Sequence, residues 1–265
     1  MKRTLVMISV WVAMSLALSA CGGLPRAGGH LEAIREAGVM KVGVSADYPP
    51  FESVDKKGNK VGFDIDLMLE LARRLGVELK WVDLPFDSLI PAVEQGRVDA
   101  SISAFAYTAQ RDQAVDFTDA YYTAEDAFTA TDSFTGTISQ PEDVAAYKIG
   151  VLRGSTQDGW LTNGLLAEGG MQEANLYRYG RFDQALLDLK GGRIDLVMSD
   201  YIPARSAVQR LGGLKIVYRG ILSAGALNMV VPEGDTELKK AINQIIKELQ
   251  NEGFIDALAI KYFGA

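Results

Sequence analysis

The sequence predicts an α/β fold with mainly parallel sheets, set out as two lobes on one plan. Three observations point there. Short β-branched runs alternate with longer amphipathic stretches, the helical stretches close on glycine, and one helix-to-strand joint occurs twice. Val39-Met40-Lys41-Val42-Gly43-Val44 reads as a strand. Phe63 to Leu75 carries its apolar residues at helical spacing and stops at Gly76, and Val77-Glu78-Leu79-Lys80-Trp81-Val82 reads as the next strand. Strand, helix and strand in repetition imply helices packed on largely parallel sheets.

The recurring joint is Leu89 to Asp99 leading into Ala100-Ser101-Ile102-Ser103, and Ala185 to Asp195 leading into Leu196-Val197-Met198-Ser199. Each is a helix closed by glycine, then Arg, a β-branched residue, Asp and a buried strand. Val42-Gly43-Val44 is echoed by Ile149-Gly150-Val151. Offsets of 96 and 107 residues suggest paired lobes, with chance recurrence of a common joint as the alternative. Gly96 and Gly192 are read as helix stops. Asp99 and Asp195 are read as fold residues at the start of their strands rather than catalytic carboxylates.

Composition narrows the chemistry. The 265 residues carry 27 Lys and Arg against 34 Asp and Glu, net −7, which argues against a phosphate-neutralising surface and against nucleic acid as a partner. One Cys and one His exclude an internal disulfide, a thiolate zinc cage and a multi-His metal site. No cofactor is expected, since the chain has no GxxxxGK[ST] or GxGxxG string. His30 ends the stretch Leu24-Pro25-Arg26-Ala27-Gly28-Gly29, a linker composition, and is expected to be solvated.

The first residues read as an address. Lys2 and Arg3 precede an uncharged run from Thr4 to Ala20, then Leu18-Ser19-Ala20-Cys21-Gly22 supplies small residues at a cleavage site. The pattern resembles a bacterial lipobox, which implies removal of residues 1–20, lipidation of Cys21 by chains such as palmitate, and membrane attachment through that lipid. A plain transmembrane anchor is the alternative, but the run is short for spanning a bilayer. Processing leaves 25 basic against 34 acidic side chains, all of them extracytoplasmic.

Several segments then fall in a familiar order: Ala46-Asp47-Tyr48-Pro49-Pro50-Phe51-Glu52, Gly62-Phe63-Asp64-Ile65-Asp66-Leu67, Leu89-Ile90-Pro91, Arg111 followed by Val115-Asp116-Phe117-Thr118-Asp119-Ala120-Tyr121-Tyr122, Gly154-Ser155-Thr156-Gln157, and Gly253-Phe254-Ile255-Asp256 with Tyr262-Phe263-Gly264. From about residue 38 to the end the chain resembles the family 3 extracellular solute-binding proteins of polar amino-acid ABC importers. The resemblance implies a type II periplasmic-binding-protein-like fold, its two lobes joined by a two-strand hinge. Residues 21–37 would hold the linker and first helix, 30–126 with 228–265 lobe 1, and 131–222 lobe 2, with crossings near 126–131 and 225–230. A ligand would lie between the lobes at the carboxyl ends of the strands.

An amino-acid zwitterion brings two charges into a site that excludes water, and each needs a partner. Arg111 matches the family arginine that forks onto the α-carboxylate; otherwise it is a surface arginine. Asp200 matches the aspartate that accepts the α-ammonium, and equally suits a helix N-cap before Tyr201-Ile202-Pro203. Ser155 and Thr156 open a helix and could meet the carboxylate, cap the helix, or both. Tyr48 and Phe86 match rings that sandwich the ligand side chain, or serve core packing. Ser103 matches a hydroxyl or backbone acceptor, Gln157 a side-chain contact, and Ala104, Ala106 and Leu152 complete the set. Ala106 stands where relatives often carry a hydroxyl, so only its amide is available. Ser45 stands where some relatives hold a cationic side chain with Asp; Asp47, Glu125 and Asp126 are candidates for the cleft mouth.

The resemblance implies a monomeric, lipid-anchored binding protein, not an enzyme, that captures a polar amino acid and delivers it to the transmembrane subunits of an ABC permease. The alternative on the same scaffold is a periplasmic cyclohexadienyl (prephenate/arogenate) dehydratase, which needs a carboxylic acid aimed at a leaving hydroxyl. No residue is assignable to that role from sequence.

Overall fold

The computed structural model describes residues 29–223 and 225–264; the expected export segment 1–20 and Cys21 lie outside them. Helix α1 (His30–Ala37) leads into β1 (Val39–Val44), the hairpin β2 (Ser53–Val54) and β3 (Lys60–Val61), α2 (Phe63–Leu75), β4 (Glu78–Asp83), α3 (Leu89–Glu94), β5 (Ala100–Ala106), β6 (Val115–Phe117) and β7 (Tyr122–Thr123). The second lobe follows with β8 (Asp126–Thr131), β9 (Ile149–Leu152), α4 (Thr156–Trp160), β10 (Leu176–Tyr179), α5 (Phe182–Lys190), β11 (Leu196–Asp200), α6 (Tyr201–Leu211) and β12 (Leu214–Gly220). The chain then returns with β13 (Ala226–Pro232), α7 (Thr236–Asn251) and α8 (Phe254–Phe263).

One sheet runs β4-β1-β5-β13-β6 with β7 beside β13, and the other runs β10-β9-β11-β8-β12. Strand β1 is parallel to β4 and β5, and β9 to β10 and β11. However, β8 and β13 are antiparallel to all their partners. The sheets are therefore mixed where the pattern predicts mainly parallel ones. The cause is the crossing: both strands enter from the other lobe at the end where the parallel strands finish, placing Asp126 opposite Asp200 and Leu227 opposite Ala106. Residues 126–131 lie wholly in the second sheet and 226–232 in the first. The chain thus passes between lobes at Ala124 and Glu125 and again between Gly220 and Ala226, slightly earlier than 126–131 and 225–230. The Ala124 amide donates to the Gly225 carbonyl at 2.9 Å, joining the two crossings.

The repeated joint has the same hydrogen bonds in both lobes. Gly96 and Gly192 hold φ of 64° and 72°, which side chains with a Cβ resist. The Asp99 amide donates to the Lys41 carbonyl (2.8 Å) while its carboxylate accepts from the Lys41 amide (2.6 Å). Asp195 does the same with Lys148, at 2.8 Å in each direction. The aspartate closes the first rung between neighbouring parallel strands, the fold role its position predicts.

Packing of the first lobe relies on amphipathic helices. Helix α2 buries Phe63, Leu67, Met68 and Leu71, and α7 buries Leu238, Ile242, Ile246 and Leu249, one stripe each. Gly62 precedes α2 at φ 141°, where a Cβ would stand 2.1 Å from the Phe51 carbonyl oxygen. Phe263 of α8 packs against Phe51 and Phe63, centroids 4.9 Å away in each case, and Tyr122 at 5.0 Å.

His30 departs from the sequence expectation. It is the first residue of α1, with Nε2 3.1 Å from Asp99 and Nδ1 2.5 Å from Asp235, so it is a clamp rather than a solvated linker residue. The Asp99 hydrogen bond, with help from Asp235, raises its pKa from 6.5 to about 9 despite partial burial. A raised histidine stabilises the fold fully below its unfolded value and loses that contribution as pH rises through the folded one. Thermal melts should show His30→Ala less stable than the parent at pH 6, with the curves converging above pH about 9; an equal gap at pH 6 and above pH 9 would contradict the clamp.

Candidate functional site

The carboxyl ends of β1 and β5 from one lobe face those of β9 and β11 from the other. Tyr48, Phe86, Ser103, Ala104, Ala106, Arg111, Leu152, Ser155, Thr156, Gln157 and Asp200 all line the single cleft between them. Ser45, Glu52, Met198 and Ser199 complete its wall.

Arg111 follows β5 in a short 3₁₀ turn whose amide is held by the Thr108 hydroxyl at 3.1 Å. Its guanidinium donates to the Ala106 carbonyl at 2.6 Å within its own lobe and to the Gly154 carbonyl at 2.8 Å across the cleft. It lies near the rings of Phe86 (5.5 Å) and Phe105 (5.7 Å), a cation–π arrangement that keeps the guanidinium plane fixed. Among the described residues no carboxylate pairs with it directly. Burial lowers its pKa to about 10, with the Asp200 charge opposing that shift, so it is a cation at neutral pH. This is not a surface arginine.

Asp200 ends β11 and precedes α6, but its side chain makes no cap bond. The carboxylate instead accepts from the Tyr48 hydroxyl at 2.9 Å and the Gln157 amide at 3.1 Å. Gln157 also donates to Asp126 at 3.0 Å, and Asp126 further accepts from the Leu222 and Ser223 amides. Burial first, and the Asp126 charge second, raise the Asp200 pKa to about 7. Tyr48 bridges the lobes twice over, since its oxygen also accepts from the Asp200 amide at 2.8 Å. Its ring meets Phe182 edge-on at 4.7 Å.

The other residues divide their duties. The Ser155 hydroxyl accepts from the Asp158 amide at 3.1 Å and so caps α4. Phe86 stacks on Phe105 at 5.0 Å. The Ser103 hydroxyl accepts from the Ser45 amide (3.2 Å) and donates to Glu52 (2.6 Å), leaving its backbone as the group for the cleft. None of the three mouth candidates lines the cleft. Asp126 is buried on Gln157, Glu125 pairs with Arg219, and Asp47 accepts from the Phe182 amide across the lobes. Beside it, Arg181 reaches Asp83 at 2.7 Å and Asp47 at 3.6 Å.

Sequence reasoning assigned no role to Glu52, although it sits in the Pro50-Phe51-Glu52 string. Glu52 forms an isolated bridge with Tyr48, too short an extended stretch to give a periodic sign that it is buried. Among the described residues no group of His, Cys, Asp and Glu is arranged to hold a metal ion, and no helix is long and apolar enough to cross a membrane.

Residues 40–265 match the family model described as bacterial extracellular solute-binding proteins, family 3. The chain is 30% identical over 272 residues to a lysine/arginine/ornithine-binding periplasmic protein of Escherichia coli strain K12, covering 99% of this chain and 97% of that one. A solved mutant of ArgBP from T. maritima superposes with a TM-score of 0.82 at 37% identity, covering 89% of this chain and 99% of that one. An ancestral amino-acid-binding protein described as a precursor of cyclohexadienyl dehydratase superposes at 0.76 with 28% identity, covering 88% and 99%.

Tyr48→Phe tests the inter-lobe bridge, because it keeps the ring and leaves the buried Asp200 amide without a partner. Chemical denaturation is expected to show a loss of about 1–3 kcal/mol; unchanged stability would mean the lobes do not depend on that hydroxyl.

Proposed function

The chain belongs to the bacterial extracellular solute-binding proteins, family 3, and from that premise we propose that its lobes close on one amino acid whose two backbone charges are met by Arg111 and Asp200. It is an extracytoplasmic binding protein that captures an amino acid for delivery to an ABC permease. It is not an enzyme: its relatives are named for the ligands they bind, and the neighbour linked to a dehydratase is itself an amino-acid-binding protein.

The observation that carries the residue assignment is the half-buried Arg111 guanidinium, which among the described residues is bonded to carbonyls alone and faces the buried Asp200 carboxylate of the opposite lobe. A ligand α-carboxylate on Arg111, with the amides of Ala106, Ser155 and Thr156 nearby, gives that cation its anion. The α-ammonium on Asp200 gives that carboxylate its cation. Tyr48 and Phe86 flank the ligand, and Ala104, Ser103, Leu152 and Gln157 contact its side chain. Among the described residues, acidic side chains in and just behind the cleft outnumber cations, with Asp200 and, behind Gln157, Asp126 against Arg111. A basic side chain balances that excess, in keeping with relatives named for arginine, lysine and ornithine.

Micromolar binding requires about −8 kcal/mol, or roughly −0.8 per heavy atom for a ligand of about ten, within the range for very small ligands. The Leu18-Ser19-Ala20-Cys21 string supports removal of residues 1–20 and a lipid such as palmitate on Cys21, which would hold a monomeric domain at the membrane. Labelled palmitate should enter the parent and not Cys21→Ser; label in both would contradict the anchor.

A thermal-shift screen of the twenty amino acids with ornithine added should pick out arginine, lysine or ornithine, since a ligand at 100 times its Kd adds about 2.7 kcal/mol of stability. Arg111→Ala and Asp200→Asn each remove one partner of a buried charge pair, worth about 3–5 kcal/mol, and calorimetry should then detect no binding. Retained affinity in either variant would overturn the assignment. Asp200 must be ionised to meet an ammonium, so affinity should weaken on acidification below pH about 7, by at most about tenfold per pH unit. A flat profile from pH 5 to 8 would contradict it.

A further inference from the structure

Beneath the cleft lie two carboxyl groups that the binding of a zwitterion does not use. Glu52 is 1% exposed and Asp64, in the first turn of α2, is 0% exposed. Each has one oxygen well satisfied. Glu52 Oε1 accepts from the Ser103 hydroxyl at 2.6 Å. Asp64 Oδ2 accepts from the Ala104 amide at 2.9 Å and the Tyr121 hydroxyl at 3.0 Å. The remaining oxygens, Glu52 Oε2 and Asp64 Oδ1, are buried with no donor from the protein, and the groups that the two acids hold, Ser103 and Ala104, are consecutive residues of β5. Two ionised carboxylates offer only acceptors. A proton on one of them is the donor that satisfies both atoms.

The groups they hold are unusual. Ala104 has φ +48°, the one non-glycine residue with positive φ among those described. Strand β5 also bulges here: Ser101 pairs with Val230 and Phe105 with Asn228, so Ile102, Ser103 and Ala104 stand opposite Met229 alone. Both Ser103 and Ala104 line the cleft. We propose that Glu52 and Asp64 share one proton beneath the cleft, and that this proton positions the binding strand by holding Ser103 and Ala104 in the bulge that faces the ligand.

The surroundings favour keeping the proton. Asp47 and Asp200 are the charged neighbours and both are acidic, while Tyr48, Tyr121 and Ser103 contribute hydroxyls. Among the described residues neither carboxyl makes a salt bridge. Burial, then the charge of Asp64, pushes Glu52 well above the usual carboxyl range, and burial raises Asp64 to about 7. An acid raised in the folded state stabilises it below the unfolded pKa and loses that contribution as pH climbs through the folded value. Loss of the proton places two like charges side by side in a dry site and frees the bulge.

The proposal concerns the cleft read above as the amino-acid site, but its test needs no ligand, so failure of either reading leaves the other standing. In ligand-free protein at pH 7, infrared difference spectra of parent minus Glu52→Gln should show a protonated-carboxyl band, on top of any that Asp200 contributes to both; the Gln amide donates to Asp64 without a titrating proton. The melting temperature of the parent should fall between pH 5 and pH 9 more steeply than that of the variant. Asp64→Asn breaks the pair from the other side and should lose the same band and the same excess slope, so the comparison survives if one variant fails to fold. No protonated-carboxyl band in the parent-minus-variant difference spectra, or melting curves that run parallel across that range, would overturn the proposal.

Discussion

Arg111 and Asp200, two unlike charges on opposite walls of one cleft, set the terms for the rest of the structure. Each loses much of its hydration, and the cost appears as a guanidinium pulled down to about 10 and a carboxyl pushed up to about 7. Neither gains a direct ion pair from the other. Neutral groups hold them in place: the Ala106 and Gly154 carbonyls for Arg111, Tyr48 and Gln157 for Asp200. An amino-acid zwitterion is the small molecule whose two charges complement both at once. Because the arginine comes from one lobe and the aspartate from the other, such a ligand also joins the lobes.

The architecture makes that placement possible by using one joint twice. Gly96 with Asp99 and Gly192 with Asp195 each end a helix and start a parallel strand. Strands built this way finish at the cleft, where open parallel sheets bind ligands. The crossing strands β8 and β13 run against them and stitch each lobe to the other. Around the rim, Asp47 and Arg181 add contacts between lobes without touching the cleft itself.

Much of this was legible in the sequence, and the exceptions share a cause. The glycine stops and strand-start aspartates are local motifs with the hydrogen bonds their positions predict, and the eleven residues named from the family resemblance line one cleft. His30 escaped because its partners Asp99 and Asp235 lie 69 and 205 positions away; composition around it says linker, and tertiary contact says clamp. The mixed character of the sheets was hidden because periodicity reports burial but not the end from which a strand enters. Of the two roles open to Ser103, hydroxyl or backbone acceptor, the hydroxyl is taken by Glu52, a contact 51 positions away that local pattern does not show. That the two buried acids hold consecutive residues of β5 depends on an isolated bridge at Glu52 and a helix start at Asp64 folding together, a juxtaposition that residue spacing does not encode.

The central claim is that the ligand lies between Arg111 and Asp200 with its backbone charges matched to them. A crystal structure of the domain grown with L-arginine tests this most directly. The account predicts the α-carboxylate on the Arg111 guanidinium beside Ser155 and Thr156, and the α-ammonium on Asp200. A ligand bound outside this cleft, or reversed so that its backbone charges face neither residue, would contradict it.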